Sequence, residues 1–127
     1  MPYTLYVIEL DPEVRTRKRF MAKNPDARAD KPSVYVGMTG KTAEVRFQEH
    51  KEGYKANKYA QELGIKLRPR LYANYGNMAT RAEALLAEQR LVDRLRKRGY
   101  AVWGGDNLTA EEKATLWRVA RKKQRAA

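Results

Sequence analysis

Residues 33–52, SVYVGMTGKTAEVRFQEHKE, carry a strand, a turn and a helix in immediate succession, and the rest of the chain reads outward from them. Ser33-Val34-Tyr35-Val36-Gly37 is rich in β-branched and aromatic side chains that suit a pleated strand, and Gly37 reads as the point where the backbone turns out of it. Gly40 and Thr42 then open a helix over Ala43 to Glu52. A helix repeats every 3.6 residues, so Ala43, Arg46, Phe47 and His50 share one face. The arginine and the histidine therefore point the same way.

Upstream, residues 3–10 (YTLYVIEL) form a second strand-like run that ends at Asp11-Pro12. Between the two strands, residues 11–32 hold three prolines and the basic cluster Arg15, Arg17, Lys18 and Arg19 without an apolar period. This segment reads as an inserted basic loop with room for one helical turn. Downstream, a short helix from Lys55 to Leu63 stops at Gly64, and Lys66 to Tyr72 alternates as a third strand whose Pro69 favours a sheet edge. Thr80 and Glu83 make a capping box for the longest helix, which runs to Arg98 before Gly99. A second box, Thr109 and Glu112, opens a C-terminal helix over 109–127 made basic by Arg118, Arg121, Lys122 and Lys123. The expectation is one α/β domain over residues 1–127: a small three-stranded antiparallel sheet flanked by helices, with an insertion between the first two strands and an extra C-terminal helix.

Composition narrows the chemistry. The 127 residues include 27 Lys and Arg against 15 Asp and Glu, a formal charge of +12 that suits a polyanionic partner, nucleic acid first. With no Cys and a single His, zinc fingers, His-based zinc hydrolases and Cys nucleophiles are excluded by counting. A metal here is a hard cation held by carboxylate, water and phosphate, which means Mg²⁺ or Mn²⁺. No apolar run approaches the roughly 20 residues of a membrane span, and Met1-Pro2-Tyr3-Thr4 lacks a signal-peptide layout. A cytoplasmic protein that does not engage membrane is expected.

One residue stands against its surroundings. The apolar arc of the long helix contains Ala84, Leu85, Leu91, Val92 and Leu95, and Glu88 falls in the middle of it. A carboxylate among leucines should be paired, protonated or holding a cation. Periodicity alone leaves these readings open.

The ordered set then resembles a known family. Leu5-Tyr6-Val7 and Tyr35-Val36-Gly37 resemble the two tripeptides that name the GIY-YIG nucleases, and Arg46 and His50 stand where that family carries an Arg and, one turn later, a His or Tyr. Glu83-Ala84-Leu85-Leu86-Ala87-Glu88 looks like the segment bearing the metal-binding glutamate in the cleavage subunit of bacterial excision repair. Thr4 stands in place of the family's first glycine, and the stretch between the tripeptides is longer than usual. Asn107 is the asparagine available for the family's position after the glutamate helix.

The resemblance implies a divalent-metal-dependent endonuclease acting on nucleic acid, DNA before RNA. Tyr6, Tyr35, Arg46, His50, Glu88 and Asn107 would form its catalytic set. Glu88 would hold Mg²⁺ or Mn²⁺, Arg46 would donate to phosphate oxygens, and one of the two tyrosines would take a proton from water. A phenol near its ordinary pKa is a poor base, so a nearby cation or a proton acceptor such as His50 is required. Nucleic-acid affinity would come from Arg15, Arg17, Lys18 and Arg19 and from Arg118, Arg121, Lys122 and Lys123 through phosphate contacts. The competing expectations are a non-catalytic nucleic-acid-binding module, RNA-associated, that keeps the fold, and a protein-interaction domain.

Overall fold

The structure, a computed structural model, describes residues 2–105 and positions 110, 111, 114, 115 and 118. Four strands form one sheet: β1 (Thr4–Leu10), β2 (Ser33–Thr39), β3 (Gly64–Leu67) and β4 (Ala101–Trp103). Their spatial order is β3-β1-β2-β4, with β1 antiparallel to both β2 and β3 and β4 parallel to β2. The expected three-stranded antiparallel sheet is thus a four-stranded mixed one. The added strand has only three residues, too few for an apolar period to show. The third strand is also shorter than expected, because Pro69 begins a 3-10 turn over Pro69–Leu71 instead of continuing the ladder. Its edge position matches the expectation from that proline.

Helices cover both faces of the sheet, which explains why β1 reads as a continuous apolar run: Leu5, Tyr6, Val7 and Ile8 are all buried. The odd positions Leu5 and Val7 pack with Val34, Val36 and Val102 against Leu91, Val92 and Leu95 of α4 (Arg81–Lys97). On the opposite face, Tyr6, Ile8 and Leu10 pack with Ala43 of α2 (Ala43–Glu52) and Tyr59 and Ala60 of α3 (Lys58–Leu63). Helix α2 has the expected bounds, started by the Thr42 side chain accepting from Val45 N–H and stopped by left-handed Gly53 at φ 87°. Helix α3 starts three residues later than expected, because Asn57 caps it by accepting from Tyr59 and Ala60 N–H. Thr80 caps α4 by accepting from Glu83 N–H, while the Glu83 carboxylate accepts from Ala79 N–H.

The insertion is not a surface loop. It folds into a 3-10 turn, Pro12–Thr16, and α1 (Lys18–Ala22), and it sends Val14 and Phe20 into the core with no exposed surface. Its Asn24 replaces a missing strand beside β4: the Asn24 Oδ1 accepts from Val102 N–H at 2.8 Å while its Nδ2 donates to the Val102 carbonyl at 3.0 Å. The outer backbone groups of β4 are thereby satisfied in a buried setting.

Gly37 does not turn the chain. It lies inside β2, opposite Tyr6, and a Cβ there would sit 2.4 Å from the Tyr6 hydroxyl. The glycine is present so that the phenol ring can cross the strand, a close approach and not a bend. Positions 110, 111, 114, 115 and 118 are exposed and helical, Arg118 among them. The expected cap residues Thr109 and Glu112 and the basic Arg121, Lys122 and Lys123 lie outside the described residues.

Candidate active site

A cleft of about 450 Å³ opens where the parallel strands β2 and β4 both run out at their C-terminal ends. Open α/β sheets commonly bind ligands at the carboxyl ends of their strands. Tyr6, Tyr35, Arg46 and Glu88 all line it, from β1, β2, α2 and α4 respectively. His50 lies fully buried behind Tyr6, and the rings of Tyr6, Tyr35 and His50 form one cluster with centroids 5.3 to 6.2 Å apart. Five of the six expected catalytic residues are thus brought together from four elements. Asn107 lies outside the described residues.

The hydrogen bonds give this cluster a direction. The Asn57 backbone N–H donates to His50 Nδ1 at 3.1 Å, so that nitrogen carries a lone pair, and a neutral ring must then hold its proton on Nε2. His50 Nε2 is 2.8 Å from the Tyr6 hydroxyl and therefore donates to it. Burial and the nearby Arg46 charge pull the His50 pKa down to about 4, which keeps the ring neutral at physiological pH. In this tautomer His50 Nε2 gives a hydrogen bond to Tyr6, where a proton acceptor was the expectation. It supports Tyr6 as a donor.

With its oxygen accepting from His50, Tyr6 has its own proton to give. The Tyr6 and Tyr35 rings lie beside each other, with centroids 6.2 Å apart. Burial is the largest influence on both and pushes both pKa values up. The Arg46 charge works against burial at each phenol, whereas the Glu88 carboxylate further raises Tyr35. A donor chain thus runs from the Asn57 amide through His50 to the Tyr6 hydroxyl, and Tyr35 lies between that phenol and Glu88's field.

Glu88 is 7% exposed and accepts from Gly105 N–H at 3.1 Å. The pair Gly104-Gly105 makes this possible. Gly104, at φ 136°, passes so near β2 that a Cβ would lie 2.2 Å from the Val36 carbonyl oxygen, and Gly105 follows at φ 69°. No other residue type fits that path without moving backbone. Among the described residues, Glu88 is the one acidic side chain lining the cleft, and no cluster of three His, Cys, Asp or Glu able to hold a metal occurs. One buried carboxylate fits a hard cation that keeps most of its waters, Mg²⁺ or Mn²⁺, and does not fit an all-protein cage.

Other expected roles divide. Arg15 donates to Ser33 Oγ at 2.9 Å and to the Lys31 carbonyl at 2.5 Å, and Arg17 pairs with Glu62 at 3.7 Å, so both tie the insertion to the fold. Lys18 and Arg19 are exposed. Trp103 lines the cleft but also stacks on Phe20 at 6.3 Å and meets Tyr59 edge-on at 5.0 Å, a core position rather than a platform for bases. Sequence reasoning missed Asn57, Arg81 and the Gly104-Gly105 pair as cleft residues. The paired glycines after a Trp are a legible signal of close backbone approach; the other two are not marked by any local pattern.

Among the described residues no helix is long and apolar enough to cross a membrane. Comparison of the chain with protein-family models, with curated proteins and with solved structures gives no match.

Proposed function

We propose that this chain is a GIY-YIG-like, divalent-cation-dependent endonuclease that hydrolyses phosphodiester bonds in nucleic acid, DNA before RNA. The observation that carries the reading is the convergence of Tyr6, Tyr35, Arg46 and Glu88 on one cleft, with His50 oriented behind Tyr6. The net charge of +12 supports a polyanionic substrate.

Glu88, fixed by Gly105 N–H, would hold Mg²⁺ or Mn²⁺, which when bound supplies charge relief at phosphate oxygens and at the leaving group. One of the two phenols, both lining the cleft, would take the proton from water after giving its own proton to solvent. Tyr6 is held in place by its 2.8 Å hydrogen bond with His50. Arg46 contributes positive charge beside both phenols. Exclusion of water from the far side of the cluster strengthens each of these interactions.

One observation favours the rival reading of a binding module without turnover: burial holds both phenols above their ordinary pKa, so neither is ionised at neutral pH in the protein alone. Incubation with supercoiled plasmid and with labelled RNA, in Mg²⁺, Mn²⁺ or EDTA, separates the two. Cation-dependent nicking is expected, and Glu88→Ala abolishes it while binding persists. Full activity in Glu88→Ala, or nicking by neither protein under any cation, defeats the nuclease reading.

A further inference from the structure

Two arginines line the cleft, and their surroundings differ. Arg46, on α2, spends three of its five N–H groups inside the protein: Nη1 donates to the Tyr54 carbonyl at 3.0 Å and to Glu49 at 3.4 Å, and Nη2 donates to the Lys55 carbonyl at 2.8 Å. Those carbonyls belong to a turn that needs support, since Gly53 and Lys55 have φ of 87° and 44°. Arg46 also lies close enough to both phenols for its charge to work against the burial that raises their pKa values. A guanidinium committed on two sides presents no bidentate fork to a phosphate.

Arg81 is different. It is the first residue of α4, it is exposed, and it lines the same cleft as Glu88. Arg81, Leu85 and Glu88 share one helix face, with Arg81 about 10 Å from Glu88 along the axis. Its guanidinium makes no ion pair or hydrogen bond to another described residue. Among the described residues nothing competes for its fork.

We infer that Arg81, and not Arg46, is the guanidinium that grips the nucleic-acid phosphate backbone in this cleft, and that Arg46 is a positioning residue for the two phenols and the Tyr54–Lys55 turn. This division rests on the reading of the cleft as a nucleic-acid site. A planar fork on a helix that also carries Glu88 fixes the phosphate relative to the carboxylate through one rigid element.

The test is binding of a short labelled DNA duplex in EDTA, measured against salt for wild type, Arg81→Ala, Arg81→Lys, Arg46→Ala and Arg46→Lys. Arg81→Ala is expected to weaken binding about tenfold and to reduce the salt slope by about 0.9, the change for one fewer neutralised phosphate. Arg81→Lys restores the slope. The Arg46 variants keep the wild-type slope and instead shift the pH profile of cleavage, which a passive structural residue would not do. An unchanged slope in Arg81→Ala, or a reduced one in Arg46→Lys, overturns the assignment even if wild type cleaves. Wild type that binds with these slopes but never cleaves leaves the phosphate assignment standing and removes the nuclease reading; wild type that binds no DNA overturns both.

Discussion

Replacing Gly37 with alanine puts a methyl group 2.4 Å from the Tyr6 hydroxyl and 2.5 Å from its ring carbon Cζ, whereas ordinary contact begins at 3.4 Å. The ring has to retreat by about 1 Å. It is buried in the sheet against His50 and Tyr35, so it must displace those rings or shift toward the cleft. A shift of that size spoils the geometry of the 2.8 Å Tyr6–His50 hydrogen bond. Overpacking costs about 1–3 kcal/mol and the broken hydrogen bond about 1 kcal/mol, so Gly37→Ala should destabilise by about 2–4 kcal/mol. For a chain of this length that is a melting shift on the order of 10 °C. Urea titration of wild type, Gly37→Ala, Tyr6→Ala and the double variant tests the cause. In the Tyr6→Ala background the glycine substitution should cost less than about 0.5 kcal/mol, because the atoms it strikes are gone. An equal cost in both backgrounds would show that the clash with Tyr6 is not why glycine stands at 37.

Three further outcomes follow from the same geometry. His50 is the only histidine and its pKa lies near 4 against an ordinary 6.5, so the unfolded chain binds a proton that the native one refuses; stability is full above pH 6.5 and falls by up to about 1.4 kcal/mol per pH unit below it. Denaturation measured between pH 6.5 and about 5 should show this slope, and a His50→Asn variant that kept it would assign the titration elsewhere. Asn24→Ala strips the Val102 N–H of its outer acceptor and leaves the Val102 carbonyl with Arg96 alone, so it should cost about 1–3 kcal/mol with faster amide exchange at Val102; unchanged exchange there would mean the amide does not hold β4. Arg15→Ala should lower stability and leave the salt slope of nucleic-acid binding intact, while Lys18→Ala with Arg19→Ala should lower the slope by about 0.9 for each phosphate no longer neutralised without unfolding the chain; the reverse pattern would place phosphate binding on Arg15.

The elements that can be read from the chain are those whose signal is local. Strands β1 and β2, helix α2 and helix α4 each carry their composition, caps and periodicity within one segment, and Glu88 announces itself because a carboxylate interrupts an apolar arc. What escapes such reading depends on partners far away in sequence. Strand β4 exists because β2 offers it a parallel edge and Asn24 closes its other side, neither of which is visible in Ala101-Val102-Trp103. Val14 and Phe20 sit among prolines and basic residues, so their burial appears only once α1 folds back on the sheet. Gly37 looks like a turn for the same reason: the ring that requires it belongs to another strand. The tautomer of His50 is set by a backbone N–H seven residues on, which no periodicity reports.

The Asn24 amide has a consequence for assembly. A second copy cannot zip onto the sheet beside Val102, since both backbone groups that would greet it are already engaged. At the other margin β3 is four residues long, is distorted by a register shift opposite Glu9 and Leu10, and has its Gly64 carbonyl taken by Lys51. Should the protein act as a pair to sever both strands of a duplex, the two molecules must meet through their helices or the duplex itself, and a mutational search for the dimer interface belongs on those surfaces.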